Sequence, residues 1–211
     1  DNRFVRETAT LSATTVNYCV AGEGPDVVYL TTSRLLEAGP VAQKLCNKFR
    51  VWVLQLPGAS RDVVDGVLAQ FIDAYIGKRV DLVGHAEAGR AAAWFAAGHP
   101  EQVEQLVLMA PTGLVVSNAG ERDDSLVARL TDVRALTLIL AGSKDTQVPG
   151  EAVQLARAKI KRSQLIYIYA AAHALEADQP ERVALLVEDF FTRAEAFIVN
   201  NGSAKIGRAH V

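Results

Sequence analysis

Apolar and polar positions follow two alternating patterns along the chain. Short, continuous apolar runs bounded by turn residues are typical of buried parallel strands. These runs are Asp26–Leu30, Arg50–Leu54, Val80–Val83, Val103–Met109, Leu136–Ala141 and Gln164–Tyr169. Between them, apolar residues recur at helical spacing in Leu35–Phe49, Val63–Ile76, Glu151–Lys159 and Pro180–Ala196. The alternation predicts an α/β fold, a doubly wound, mostly parallel sheet with helices on both faces.

The remaining segments predict an edge hairpin and a small lid. Alternating stretches within Phe4–Val20 favour an antiparallel hairpin at the sheet edge. Residues 114–134 are irregular, so we expect a short lid loop there, with a helix over Ser125–Leu130 capped by Asp124. Because 211 residues suffice for one full core and no linker divides them, residues 1–205 are predicted to form a single domain.

The last six residues, Ile206–Val211 (IGRAHV), resemble a translated sequencing adapter. We therefore expect residues 206–211 to be a non-native tail that carries no function. On this interpretation the natural C-terminus is missing, and the source is metagenomic bacterial DNA.

Composition and charge narrow the class of partner. The net charge of −2, with 22% charged residues, indicates neither a nucleic-acid-binding nor a polyanionic surface. No apolar run approaches the roughly 18 residues of a membrane span, and no secretory signal begins the chain, so a cytoplasmic location is expected. Cys19 and Cys46 lack metal-ligand spacing and are predicted to be reduced, buried thiols. No metal or cofactor is expected, no oligomeric state is specified, and a small apolar or ester-like molecule is the favoured partner.

The chain is organised around Val80–Pro100, where an apolar strand breaks at Gly84 and restarts as an alanine-rich helix. Small residues at Gly84, Ala88 and Gly89 let strand and helix approach closely. This pattern is typical of a nucleophile elbow, which presents one side chain in front of a helix N-terminus. Ala86 occupies the place of the nucleophile. The alternative is that the small residues serve packing alone.

Three loops follow predicted parallel strands and therefore gather at one edge of the sheet. They are Gly84–Gly89, Gly142–Asp145 and Ala171–Ala174. Nucleophile, acid and histidine, in that order, is the chain order of the α/β-hydrolase fold. The segments LVGHAEAG, LAGSKDTQVP and AAHALEADQPERV resemble the three loops of that superfamily. The resemblance extends over about Val16–Ala196, and WFAAGHPEQVEQLVLMAP is similar to bacterial members without a large cap domain.

The resemblance implies a role for each residue of the site. Asp145 would orient and charge-stabilise the imidazole of His173, and His173 would act as general base and acid. The residue at position 86 would attack the substrate. The backbone N–H groups of Ser33 and Glu87 would form the oxyanion hole.

The sequence departs from the family pattern in two loops. Ala86 cannot attack, because a methyl group has neither a proton to lose nor a lone pair to donate. Thr31 and Thr32 stand where the family has His-Gly, directly before the expected donor Ser33, and a β-branched residue there puts the path of the loop in doubt. Gln55 stands where many members have Asp.

Three explanations compete for Ala86: a laboratory substitution, a sequencing error, or a naturally serine-less protein. A laboratory change would leave the first loop intact. The departures at Thr31, Thr32 and Gln55 therefore favour the natural explanation, whereas the surviving acid and histidine weigh against it.

Each candidate residue also has a purely structural interpretation. Asp145 could be only a turn residue, and His173 could be a satisfied structural histidine. His99, at a helix end before a proline, is predicted to be structural. His85 is expected to pack rather than react, and Glu87 suits the dipole at a helix start.

Three hypotheses of function follow. The first is a pseudoenzyme, a hydrolase-like protein that lacks the nucleophile and binds a small ligand or a partner. The alternative is an esterase or C–C-bond hydrolase whose nucleophilic serine at position 86 was lost by substitution or sequencing error. In a third, His173 activates water or a substrate proton directly.

Overall fold

One eight-stranded sheet forms the centre of the molecule. The computed structural model describes residues 3–203, with side chains described through residue 199. The strands, in chain order, are β1 Val5–Leu11, β2 Thr14–Ala21, β3 Asp26–Thr31, β4 Arg50–Gln55, β5 Val80–His85, β6 Val103–Met109, β7 Leu136–Gly142 and β8 Ser163–Ile168. Their spatial order is β1-β2-β4-β3-β5-β6-β7-β8. The predicted edge hairpin is present as β1 and β2, both antiparallel to their neighbours. The other six strands, β3 to β8, run parallel to one another.

Helices cover both faces of this sheet, as the sequence pattern predicts. They are α1 Pro40–Leu45, α2 Arg61–Phe71, α3 Ala86–Gly98, α4 Asp124–Arg129, α5 Gly150–Lys159, α6 Leu175–Asp178, α7 Pro180–Arg193 and α8 Glu195–Ser203. These helices form two groups. In one, α7 packs against α1, α6 and α8, and in the other α3 packs against α2 and α4.

The core lies between these helix layers and the central strands. Every residue of β7 is buried, and so are all but the last residue of β3 and of β5. Burial on both sides explains why these strands read as continuous apolar runs rather than alternating ones. Cys19 and Cys46 are buried and unbridged, as predicted.

Helix boundaries differ from the predictions where a backbone signal outweighs the apolar pattern. The first helix was expected over Leu35–Phe49 but starts only at Pro40, whose fixed φ favours the first helical position. The last predicted helix divides at Ala194, which has a φ of 51°. The N-cap of α4 is Asp123 rather than Asp124, because its side chain accepts from the Leu126 N–H at 3.0 Å.

Strand β5 is longer than the sequence pattern predicts. Gly84 does not end it; the strand continues through His85, and the turn falls at Ala86. Parallel register places His85 beside Met109 and Gly142 beside Ile168. The loops after β5, β7 and β8 therefore leave the sheet at the same edge.

Two further expectations from the sequence concern the tail and membrane-spanning segments. The predicted tail at 206–211 lies outside the described residues. Within residues 3–203, no helix combines the length and apolarity needed to cross a membrane.

Replacing Gly84 tests the contact between β5 and α3. A Cβ at this position would lie 2.4 Å from the Ala88 carbonyl oxygen, so α3 would have to move away from the sheet. We expect Gly84→Ala to lower the free energy of unfolding by about 2–3 kcal/mol, as overpacking of a core does. Urea denaturation measures this change.

Gly66→Ala in α2 is the matched control, because nothing lies within 4 Å of the added Cβ. It should raise the free energy of unfolding by about 0.5–1 kcal/mol through helix propensity. Equal effects of the two substitutions would contradict the proposed close approach.

Candidate functional site

The turn between β5 and α3 holds Ala86 in a backbone conformation that alanine seldom adopts. Its φ is 52°, in the left-handed region. Gly84 has no side chain to collide with Ala88, and a Cβ on Gly89 would lie 3.0 Å from the Gly84 carbonyl oxygen. The Ala86 carbonyl accepts from the Thr112 N–H at 3.2 Å, which ties the next strand-end loop to the turn. The turn therefore has the geometry of a nucleophile elbow with a methyl group in the nucleophile's place.

Asp145 lies in the loop after β7 and makes hydrogen bonds on two sides. Its Oδ1 accepts from the N–H groups of Gln147 at 2.8 Å and Val148 at 3.0 Å. Its Oδ2 lies 2.9 Å from His173 Nδ1. The Asp145 side chain is only 2% exposed. Asp145 thus fixes a turn and is also the hydrogen-bond partner of His173.

Close packing brings the loops of Asp145 and His173 together. Gly142 ends β7, and a Cβ there would lie 2.2 Å from the Ala172 carbonyl oxygen. The Lys144 N–H also donates to the Ala171 carbonyl at 2.8 Å. The alignment of Asp145 with His173 therefore depends on a glycine that the sequence pattern did not single out.

The environment of Asp145 stabilises its charged form. Burial by itself raises the pKa of this carboxyl, but hydrogen bonds from the Val148 N–H, His173 and the Gln147 N–H outweigh it. The pKa of Asp145 consequently lies below its usual range. The carboxylate accepts a hydrogen bond from His173 Nδ1 and so orients the His173 ring.

His85 binds the backbone of the loop that carries His173, and Glu176 lies next to His85. His85 Nε2 donates to the His173 carbonyl oxygen at 2.8 Å, and the two imidazole rings lie 5.0 Å apart. His85 Nδ1 lies 3.7 Å from Glu176 Oε2. Burial lowers the pKa of His85 and raises that of Glu176 to about 7. His85 therefore packs and positions, as predicted, whereas sequence reasoning missed Glu176, whose only signal is an acid three residues after His173.

His99 is structural, as predicted. Its Nε2 lies 2.6 Å from Asp65 Oδ2, and its ring stacks on Phe95 with centroids 4.4 Å apart. It lies at the C-terminal end of α3, at the opposite end of that helix from Ala86.

The first loop orients the expected oxyanion donor towards its own chain. The Ser33 N–H donates to Thr31 Oγ1 at 3.1 Å, so this donor already has an acceptor. Gln55, at the end of β4, holds this loop: its Nε2 donates to the carbonyl oxygens of Ser33 at 2.7 Å and Arg34 at 3.1 Å. Thr32 and Ser33 are exposed.

Glu87 supplies the other backbone donor that the family resemblance implies. It lies in the first turn of α3, where backbone N–H groups have no intrahelical acceptor, and its side chain is exposed. Of the two donors expected from the sequence, Ser33 is thus bonded within its own loop, whereas Glu87 lies in the first turn of a helix.

Two cavities open beside Glu87. One, of about 520 Å³, lies between the first loop and the segment after β4; its walls include Thr32, Ser33, Gln55, Leu56 and Pro57. The other, of about 290 Å³, lies between α2 and α3. Residues 114–134, where the sequence predicts a short lid loop, line neither of these two cavities.

Removing the charge of Asp145 tests its role in the loop. Because its folded-state pKa lies below the ordinary value of about 3.9, its contribution is complete above about pH 5 and is lost as the pH falls through the folded-state pKa. We expect Asp145→Asn to lower the free energy of unfolding by about 1–3 kcal/mol at pH 7, with the difference shrinking towards pH 3. Urea titrations at several pH values measure it.

Asp132→Asn, at an exposed aspartate, is the control and should change stability by no more than about 0.5 kcal/mol. A loss in Asp145→Asn that is constant between pH 3 and pH 7 would show that shape, not charge, is what Asp145 contributes.

Comparisons with known proteins bear on the fold of the chain. No protein-family model matches the chain. A pimeloyl-[acyl-carrier protein] methyl ester esterase from Nitrosomonas europaea is 32% identical over an alignment of 145 residues. The match covers 59% of this chain and 57% of that protein. The match thus spans little more than half the length of this relative.

Solved structures match over most of the chain. A serine hydrolase involved in carbazole degradation gives a TM-score of 0.77 at 20% identity, over 90% of this chain and 99% of that one. A meta-cleavage product hydrolase from Pseudomonas fluorescens IP01 gives a TM-score of 0.77 at 18% identity, and the match covers 92% of this chain and 100% of that one. The 2-hydroxy-6-oxo-6-phenylhexa-2,4-dienoate hydrolase from Rhodococcus sp. strain RHA1 gives a TM-score of 0.75 at 13% identity, and the match covers 90% of this chain and 99% of that one. With the strand order, the elbow and the three strand-end loops in place, this chain has the α/β-hydrolase fold.

Proposed function

We propose that this protein is a pseudoenzyme of the α/β-hydrolase fold, one that forms no acyl-enzyme and binds a small, apolar or ester-like molecule at the strand-end edge. The observation that carries the proposal is the methyl group of Ala86 at the elbow, at a φ of 52°. A covalent route through this position requires an oxygen or sulfur that alanine lacks. In a measured serine protease, loss of the serine costs about 10⁶-fold in kcat.

The state of the oxyanion loop supports the same conclusion. The Ser33 N–H is bonded to Thr31 Oγ1 rather than free to meet a developing negative charge. Removal of one oxyanion donor costs about 10²- to 10³-fold in kcat. Two separate parts of the acyl-transfer machinery are therefore altered, at Ala86 and at Ser33.

The cavity beside the first loop is the binding site in this proposal. Its volume of about 520 Å³ lies within the range of small-molecule pockets, about 300–1,000 Å³. Leu56 and Pro57 provide apolar wall, while Gln55 and the Thr32 and Ser33 hydroxyls provide polar groups. Arg34 and Glu87 add charged groups, so the lining is about equally polar and apolar and suits a small ester-like molecule with both kinds of surface.

A second candidate is an active ester or C–C-bond hydrolase whose nucleophile was lost only in this sequence. It is favoured by the 2.9 Å contact between Asp145 Oδ2 and His173 Nδ1, which has the geometry of a working acid–histidine pair. The similar proteins named as an esterase and as meta-cleavage product hydrolases point to the same reaction classes. In this candidate Ala86 is an isolated lesion.

The unmodified protein tests whether another nucleophile serves in place of Ala86. We expect p-nitrophenyl acetate and butyrate to be hydrolysed no faster than by an equal concentration of the Asp145→Asn, His173→Ala double variant. We also expect no covalent labelling by a serine-directed fluorophosphonate in intact-mass spectra. Stoichiometric labelling of the unmodified protein, absent in the double variant, would contradict the proposal.

Restoring the nucleophile separates the two candidates. Ala86→Ser supplies an Oγ while Thr31 still holds the Ser33 N–H, so we expect kcat/KM towards p-nitrophenyl esters to stay at least about 10²-fold below ordinary esterase values of about 10⁴ M⁻¹s⁻¹ or more. Adding Thr31→His and Thr32→Gly should raise the activity further, because the donor is released.

The control for this series is Ala86→Ser combined with His173→Ala, in which any recovered activity should disappear. Ordinary esterase activity in Ala86→Ser alone would favour the second candidate, since it would show that the first loop is competent as it stands.

A further inference from the structure

A cluster of arginines lines the cavity between α2 and α3, away from the Asp145–His173 pair. Arg61 comes from the first turn of α2, and Arg90 from the second turn of α3. Both line the cavity of about 290 Å³, together with Trp94. The rest of the wall is mainly apolar and includes Val64, Leu68, Ala91 and Phe95.

Both arginines bind a carboxylate, that of Asp123. Arg61 Nη2 and Arg90 Nη2 both donate to the same oxygen, Asp123 Oδ2, the latter at 2.7 Å. The other oxygen, Oδ1, accepts from the Leu126 N–H at 3.0 Å and so caps α4. Two guanidinium groups therefore share one oxygen of a single carboxylate. Each guanidinium has five N–H donors, so the pair keeps donors for a second carboxylate.

Both arginines are held in place before any ligand arrives. The Arg61 guanidinium carbon lies 3.8 Å from the centre of the Trp94 ring, a distance typical of a cation–π contact. The Arg90 side chain packs against Gly113, where a Cβ would lie 3.0 Å from Arg90 Nε. Prior ordering of these side chains reduces the entropy lost on binding.

The other acidic residues of the same cavity, Asp65 and Glu87, form no ion pair with Arg61 or Arg90 in the described part of the chain. Asp65 Oδ2 is engaged by His99 Nε2 at 2.6 Å. Glu87 is exposed, so solvent screens its charge. In the described part of the chain, Asp123 is the carboxylate to which both arginines are bonded.

We propose that the cavity between α2 and α3 is a binding site for a small organic monocarboxylate, whose carboxylate meets Arg61 and Arg90 beside Asp123 and whose apolar body lies against Val64, Leu68 and Phe95. The volume suits a ligand of about a dozen non-hydrogen atoms, at the small end of ligand pockets. The cavity shares Val64, Glu87 and Ala91 with the larger cavity beside the first loop, but neither Ala86 nor His173 lines it. The arginine pair lines only the smaller cavity, so the proposal goes beyond the function of the elbow and does not depend on it.

Titration with 3-phenylpropanoate tests the site, with calorimetry for affinity and the indole N–H signals in ¹H–¹⁵N spectra for location. The chain has two tryptophans. The Trp94 signal should shift, whereas that of Trp52, buried and bonded to Asp26 Oδ1, should not. The neutral 3-phenylpropanamide and the short acetate ion should each bind at least about 10-fold more weakly, the first for lack of charge and the second for lack of an apolar body.

Two substitutions at this site should change the affinity for 3-phenylpropanoate in opposite directions. Arg90→Gln should weaken 3-phenylpropanoate binding about 10-fold, because it removes one guanidinium. Asp123→Asn should strengthen it about 3- to 10-fold, because the competing charge is removed while asparagine still caps α4. If Asp123 were only structural, its substitution would weaken binding instead.

Arg122→Gln is the matched control, since Arg122 pairs with Asp124 on the surface and does not line the cavity. Its affinity should equal that of the unmodified protein. Equal binding of the carboxylate and its amide, or weaker binding by a folded Asp123→Asn, would overturn the proposal. Such an outcome leaves the esterase measurements on Ala86→Ser unaffected, so the two proposals fail separately.

Discussion

The close approach of β5 and α3 at Gly84 is the constraint on which the strand-end site depends. The Ala88 carbonyl occupies the place where a Cβ of residue 84 would lie, at 2.4 Å. With strand and helix this close, the connecting residue must turn sharply, and Ala86 takes a φ of 52°. The first-turn N–H groups of α3 then face the edge where the strands end. The packing of two small residues thus preserves the geometry of the nucleophile position even though its side chain carries no chemistry.

Retention of Asp145 and His173 has a structural explanation that requires no catalysis. Asp145 Oδ1 binds the Gln147 and Val148 N–H groups, so loss of this carboxylate would disturb the loop whether or not a reaction occurs. The His173 ring donates to Asp145 Oδ2, so loss of the ring would leave a nearly buried carboxylate oxygen without this partner. Selection for folding alone can therefore keep both residues. Their presence consequently carries less weight for an active enzyme than their chain order suggests.

The sequence predicted most of the fold, because the buried strands read as apolar runs and their order along the chain determines which loops meet at one edge. Val103–Met109 coincides with β6, and the three strand-end loops come together as expected. Errors arose where one residue outweighs a pattern, as at Pro40 and Ala194. The arginine cluster around Asp123 was missed, since it joins α2, α3 and the N-cap of α4 through side chains far apart in sequence.

The departures from the hydrolase pattern in the first loop form one hydrogen-bonded unit. Thr31 Oγ1 accepts the Ser33 N–H, and Gln55 Nε2 donates to the carbonyl oxygens of Ser33 and Arg34. An aspartate at position 55 could make neither of the last two bonds, because a carboxylate has no N–H to donate. A glycine-like path at position 32 is likewise unnecessary once the loop folds back on Thr31. Thr31 and Gln55 therefore stabilise the same conformation of this loop, one through the Ser33 N–H and the other through the carbonyl oxygens of Ser33 and Arg34.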